Sequence, residues 1–198
     1  MKHLVRQIAA LLATASLCAL AVAGPVVLSE SFESGSRSCV REQLEGKPSA
    51  TIGSFGRDSS GVRVRYMGMD LGSERTVFSC PLPEKGLEYT LTYDVKFEKD
   101  FQFVKGGKLH GLGPDRVMSG GDGIVPEGWS ARVAFRKDGG VETYVYNQGQ
   151  RGDYGQIDRA QDFKFETGRF YKVSLYVKLN SSAAASDGIV RLWIDGKQ

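Results

Sequence analysis

The stretch Phe101-Gln102-Phe103-Val104-Lys105-Gly106-Gly107-Lys108-Leu109-His110-Gly111-Leu112 sets two lysines around a Gly-Gly pair and carries a histidine two residues beyond. Glycine inside a strand weakens it and commonly marks a bulge, or a place where a ligand or another backbone comes close. Further on, Trp129 to Arg136 and Val141 to Asn147 read as the arms of a hairpin closed by Asp138-Gly139-Gly140. Opposed residues of an antiparallel pair share a face. A three-residue loop with glycine in the left-handed conformation sets Arg132 opposite Tyr146, Ala134 opposite Tyr144 and Arg136 opposite Glu142. Val133 and Phe135 then share the other face with Val145 and Thr143. One face is apolar, and the other gathers Ser130, Arg132, Tyr144 and Tyr146. A two-residue loop would put the tyrosines behind Val133 instead.

Cation, hydroxyl and two phenols on one face can grip an anion and move protons. The planar fork of arginine holds a carboxylate by two bonds, and a lysine supplies a point charge. A phenol, with a pKa of about 10, becomes a base or acid near neutrality only when neighbouring cations favour the phenolate. The plain alternative is a polar sheet face with ordinary cross-strand pairs and two solvated lysines.

The elements that must hold these residues are strands. Tyr89, Leu91, Tyr93, Val95 and Phe97 alternate with Thr90, Thr92, Asp94 and Lys96, the period of a half-buried strand. The pattern returns at Tyr171, Val173, Leu175, Val177 and Leu179, with Phe170, Lys172, Ser174, Tyr176 and Lys178 on the other side, a face that mixes aromatic and basic groups. Further strands are predicted at Val26 to Phe32, Gly61 to Tyr66, Phe101 to Leu109 and Ile189 to Ile194. Gly111 to Gly128, with six glycines and two prolines, reads as a long surface loop, and Gln148 to Asp162 as another. The 25 glycines and the lack of any amphipathic stretch of helical length favour an all-β antiparallel β-sandwich, a jelly roll. Val190 to Ile194 is followed by Asp195-Gly196, a hairpin turn signal, and only two further residues. A return strand would be needed to cover that edge, so the C-terminal strands of the sandwich are expected to be missing.

Residues 1–23 carry Lys2, His3 and Arg6, then an apolar run from Ile8 to Val22 ending in Ala21-Val22-Ala23. The run is too short to cross a bilayer as a helix and reads as a signal peptide cleaved after Ala23. A secreted or periplasmic protein is expected, with one domain over 24–198. The leader holds two of the 26 basic residues and none of the 23 acidic ones, so the remainder has a formal charge of +1. That balance argues against a nucleic-acid partner and leaves room for a local cationic groove. No later segment could span a membrane, and a monomer is expected. Cys39 and Cys80 would meet an oxidising compartment, so a disulfide between them is one reading and two free thiols the other.

Three motifs, in order, resemble polysaccharide lyase family 14, whose members act on alginate and related glucuronate-containing polymers. They are Lys105-Gly106-Gly107-Lys108-Leu109-His110-Gly111-Leu112, Trp129-Ser130-Ala131-Arg132 and Tyr144-Val145-Tyr146, and the Asp187-Gly188 to Gly196 segment is also similar. The likeness runs from about Tyr89 to the end. It implies a catalytic set of Lys108, Ser130, Arg132, Tyr144 and Tyr146; Lys105, His110 and Arg136 are added beside that set as substrate-binding candidates, and no cofactor or metal is expected. The partner it implies is an acidic polysaccharide, cleaved by β-elimination. His110 stands where the family pattern has proline, which adds a titratable group as a second candidate base.

Other chemistries find little support. There is no Gly-x-Ser-x-Gly elbow, no Cys/His metal spacing and no phosphate loop. Hydrolysis by paired carboxylates would have to draw on Asp94, Asp122, Glu127 or Glu142, none of them paired by an argument as tight as the hairpin register. The competing class is a non-catalytic carbohydrate-binding module, since jelly rolls host both.

Overall fold

The computed structural model describes residues 24–70, 72–121 and 123–198. The expected signal peptide, residues 1–23, lies outside the described residues. Two antiparallel sheets face each other. The first has the strand order β11-β10-β5, built from β5 (Glu88–Lys96), β10 (Phe170–Lys178) and β11 (Ile189–Ile194). The second has the order β6-β7-β8-β9, built from β6 (Gly106–Leu112), β7 (Ser130–Arg136), β8 (Gly140–Tyr146) and β9 (Gln156–Lys164). They make the antiparallel jelly-roll sandwich that the alternation predicts.

Alternation decides what lies between the sheets. Tyr171, Val173, Leu175 and Val177 of β10 point inward opposite Val95, Tyr93, Leu91 and Tyr89 of β5. From the other sheet Ala131, Val133 and Phe135 of β7 and Val141 of β8 meet them. One end of this core is aromatic: Phe97 has Phe103, Phe101, Phe135 and Phe165 around it at ring-centroid distances of 4.7, 4.9, 5.1 and 5.2 Å. Tilted and edge-on rings of this kind add to the burial of their large apolar area.

The N-terminal third is lighter. A single-turn helix, α1 (Cys39–Leu44), starts at Ser38, whose hydroxyl accepts the Arg41 N–H at 3.2 Å. Two small hairpins follow, β1 (Ala50–Gly53) with β2 (Gly61–Val64) and β3 (Gly68–Met69) with β4 (Gly72–Ser73). Cys39 and Cys80 are joined in a disulfide with their Cα atoms 5.6 Å apart, which ties α1 to the segment leading into the sandwich.

Several expected elements differ. Val26 to Phe32 is not a strand; Val26 is 81% exposed, and alternation without a sheet to pair with gives no strand. The strand expected at Phe101 begins only at Gly106, because Phe101 and Phe103 turn their rings into the aromatic core through irregular backbone. β9 lies where a loop was expected. Nearly every residue of it is exposed, so its sequence shows none of the alternation that half-burial imposes. At the C-terminus Asp195 and Gly196 take left-handed conformations, φ 51° and 79°, and Lys197 turns back to pair with Ile194.

The β7–β8 register also departs from expectation. Ser130 lies opposite Tyr146, Arg132 opposite Tyr144 and Ala134 opposite Glu142, one pair further along than predicted. The cause is the turn. Asp138 and Gly139, φ 58° and 79°, hold the two left-handed positions, and Gly140 N–H bonds back to Lys137 O. The turn therefore starts one residue earlier than Asp138-Gly139-Gly140, and Arg136 becomes an extra residue before the Phe135–Val141 pair. A β-carbon on Gly139 would also stand 2.1 Å from Phe165 O. A displacement by a whole pair keeps every side chain on its predicted face.

Phe97, 6% exposed at the centre of the aromatic cluster, carries the fold prediction. Phe97→Ala is expected to cost about 3–5 kcal/mol of unfolding free energy, read as a lower denaturant midpoint with an unchanged slope.

Candidate active site

The outer face of the β6-β7-β8-β9 sheet collects the sequence-predicted residues in rows. One row runs Gly111, Arg132, Tyr144, Ile157 and the next Lys108, Ala134, Glu142, Arg159. Ala134 is small, so the side chains of Lys108 and Glu142 can lean over the middle of the sheet. The Lys108 ammonium stands 5.0 Å from the centroid of the Tyr144 ring, and the Arg136 guanidinium 6.0 Å from it. Both are within reach of a cation–π attraction. The Tyr144 and Tyr146 hydroxyls are 3.0 Å apart, one hydrogen bond joining the two phenols.

The Lys108 region works through a bulge. Lys108 pairs with Ala134 and Gly111 with Arg132, so β6 has one more residue than β7 between them. A β-carbon on Gly111 would fall 2.2 Å from Ala131 O, and only glycine permits so close an approach of the two backbones. The extra residue reverses the side-chain alternation. His110 is thereby turned to the inner face, where its ring packs edge-on against Tyr93 at 5.0 Å and beside Phe78 at 5.8 Å. The ring of His110 therefore lies away from the Lys108 and Arg132 face. The residue keeps an exposed side at the sheet rim, but the protein around its ring disfavours imidazolium and pushes the pKa down.

Electrostatics on the outer face follow first from burial. Burial first, and then the neighbouring Arg132, Arg136 and Arg75, push the Lys108 pKa down. Burial also lowers the Arg132 pKa, opposed by the two phenols, though a guanidinium stays charged at any working pH. For Tyr144 the outcome is the reverse of the expectation that cations would ease its ionisation. Burial and the hydrogen bond shared with Tyr146 outweigh the Gly155 N–H and Arg136, and push the Tyr144 pKa up to about 12. Tyr144 therefore holds its proton in the free protein.

Arg136 is committed elsewhere. Glu142 is fully buried, and its carboxylate receives Arg136 Nε at 2.7 Å and Arg159 Nε at 3.1 Å. Arg136 reaches it diagonally across the strands, since Ala134 is the residue directly opposite. A buried carboxylate needs such partners. Lys105, exposed just before β6, lines a shallow depression with Arg136, Glu142 and Arg159.

Ser130 also has a different task from the expected one. Its hydroxyl is buried and donates to Met118 O at 2.8 Å, so it anchors the loop around Met118. Met118, fully buried, packs on Tyr144 and Tyr146 with Val125 beside it. Gln148 fastens the same loop by donating to Val125 O at 2.9 Å and Gly128 O at 2.6 Å. Tyr146 is completely covered and Tyr144 only 6% exposed. Gln148, Met118, Arg159 and Arg75 are site residues that sequence reasoning missed. Arg159 sits on the strand without alternation, and the other three arrive from loops.

The chain's sequence matches the family described as Polysaccharide lyase 14 over residues 78–198. The chain belongs to polysaccharide lyase family 14. Solved structures similar to it include alginate lyase Aly36B, at 28% identity and TM-score 0.51, covering 57% of this chain and 49% of that one. The marine PL-14 alginate lyase from Aplysia kurodai is 24% identical with TM-score 0.56, over 76% of this chain and 67% of that one. Alginate lyase vAL-1 from Chlorella virus is 23% identical with TM-score 0.52, over 60% and 55%. The last two likenesses are of fold alone. This family member spans about half the length of two of these proteins and two-thirds of the other. No curated protein matches the chain.

Two predictions follow from the geometry. Ser130→Ala strands the buried Met118 carbonyl and is expected to cost about 1–3 kcal/mol, with faster amide exchange confined to residues 113–128. For Tyr144, a folded-state pKa of about 12 against an ordinary 10.0 means that stability is retained below pH 10 and falls as pH rises toward 12. A Tyr144→Phe variant should lose that part of the alkaline slope in denaturant titrations run across this range.

Proposed function

We propose that this chain carries the catalytic face of a polysaccharide lyase that cleaves a uronate-containing polymer, alginate or glucuronan-like, by β-elimination. The observation that carries the reading is the hydrogen-bonded Tyr144–Tyr146 pair, 3.0 Å between hydroxyls, beside Lys108 and Arg132. In such a reaction the C5–H bond breaks, its electrons form the C4–C5 double bond, and the C4–O4 bond breaks as O4 takes up a proton. The C5 proton is barely acidic. Charge developing on the adjacent carboxylate must be stabilised, and preorganised donors in a partly desolvated site commonly supply the largest share of that.

Arg132 and Lys108 take this role. Their lowered pKa values come first from burial, to which neighbouring arginines add for Lys108, and an incoming carboxylate opposes both effects. Tyr144 holds its proton and serves as the donor to O4, while Tyr146 removes the C5 proton and is reset through the bond between the phenols. Ser130 positions the loop and does not touch the sugar. Lys105 extends the cationic rim for a neighbouring uronate. Under this reading the 113–128 loop must lift Met118 away before the phenols can react.

The full burial of Tyr146 is the observation that favours the second reading, a non-catalytic carbohydrate-binding module. Alginate and glucuronan, each incubated with the protein, separate the two: a rise in ultraviolet absorbance from unsaturated uronate supports the lyase, and binding without it supports the module. The protein is proposed to act in the periplasm or outside the cell after removal of residues 1–23, a cleavage that the N-terminal mass of the exported protein would reveal.

Tyr146→Phe is expected to keep polymer binding and lose turnover by roughly a hundred- to ten-thousand-fold. Arg132→Ala should weaken both. Equal turnover in Tyr146→Phe and the wild type would remove that phenol from the mechanism.

A further inference from the structure

The opposite face of the sandwich has an arrangement that the candidate active site does not use. On the outside of the β11-β10-β5 sheet, Trp193 lies opposite Ser174, and Arg191 opposite Tyr176. Ser174 in turn lies opposite Thr92, and Tyr176 opposite Thr90. The middle of this face is therefore a low floor of hydroxyl residues, with the Ser174 and Thr92 oxygens 3.0 Å apart. Trp193 and Tyr176 rise beside it, both half-buried, and Lys172 and Arg191 stand exposed at either side. Lys172 and Arg191 enter no ion pair among the described residues. Of the carboxylates on this face, Asp94 lies directly opposite Lys172 and pairs with Arg57 at 3.7 Å, Asp195 pairs with Arg169 at 3.1 Å, and Glu88 accepts the Tyr176 hydroxyl at 2.8 Å.

A face of this composition suits a ligand with apolar patches, hydroxyls and negative charge together. Indole and phenol rings pack on the C–H faces of a sugar, the serine and threonine hydroxyls hydrogen-bond its hydroxyls, and the two cations pair with carboxylates. A nucleic acid would call for a wider basic surface.

We propose that this outer face is a second, non-catalytic binding site for acidic polysaccharide, in which Trp193 and Tyr176 provide the platform and Lys172 and Arg191 hold the carboxylates. It would keep a long polymer attached while another stretch of it lies in the cleft on the opposite sheet. The assignment rests on the reading that the partner is a polyuronate, but not on the cleft being catalytic.

Affinity electrophoresis of the full chain tests it, in gels holding alginate, glucuronan or a neutral glucan, with Tyr146→Phe in every sample so that no polymer is degraded. Two paired variants are compared, Arg191→Ala with Trp193→Ala, and the charge reversals Lys172→Glu with Arg191→Glu, whose exposed positions spare the core. Both are expected to bind the acidic polymers roughly tenfold more weakly, with the thermal unfolding transition retained in the charge-reversal pair. The same substitutions without Tyr146→Phe should leave turnover of a short oligouronate unchanged. Undiminished retardation of the folded charge-reversal variant, or equal retardation by the neutral glucan, overturns the proposal. Failure of the lyase reading shows differently, as no unsaturated product from the wild type while retardation still depends on Lys172 and Arg191.

Discussion

The β7–β8 hairpin separates core from chemistry with a single device, the two-residue period of a strand. Val133, Phe135 and Val141 point into the sandwich, while Arg132, Tyr144 and Tyr146 point out of it. The Asp138-Gly139 turn sets this division, because only a shift by an odd number of residues would exchange the faces. Neighbouring strands then inherit the register. β6 brings Lys108 alongside Ala134, and β9 brings Arg159 alongside Glu142.

Given that division, the outer face has to manage a dense set of cations. Four basic side chains, Lys108, Arg132, Arg136 and Arg159, crowd the same few rows, and one carboxylate, Glu142, is buried among them to hold Arg136 and Arg159. Lys108 and Arg132 are left without a carboxylate of their own among the described residues. They are the groups whose charged forms the protein destabilises. An anionic ligand would complete what the fold leaves open, which is the electrostatic logic of a binding cleft. The same face keeps its phenols dry under Met118, with Ser130 and Gln148 holding the loop in place. Access to the tyrosines and tethering of that loop are therefore one physical question.

Cation, hydroxyl and ring recur on the far sheet, without the bulge, the buried carboxylate or the covering loop. The two faces illustrate how one sandwich can present similar residue types in different settings. On the β7–β8 face the phenols are buried against each other and share a hydrogen bond. On the β10–β11 face Tyr176 is bound to Glu88 near solvent, a setting for contact rather than proton transfer.

The one-dimensional pattern was sufficient for whatever depends on alternation and on local order. It determined the β class, the inward sets on β5 and β10, the membership of Ser130, Arg132, Tyr144 and Tyr146 in one face, and the ordered motifs that mark family 14. These are legible because burial on one side of a strand writes a period of two into the sequence. Only the tertiary structure decided the exact hairpin pairing, since an Asp-Gly-Gly run permits more than one turn. It alone decided that a bulge sends His110 inward, that Ser130 serves the loop, and that Tyr144 is made harder to ionise. It also decided that polar β9 is a strand and supplies Arg159. Each of these depends on contacts between residues distant in the chain, where burial and backbone crowding are set by partners that no local pattern names.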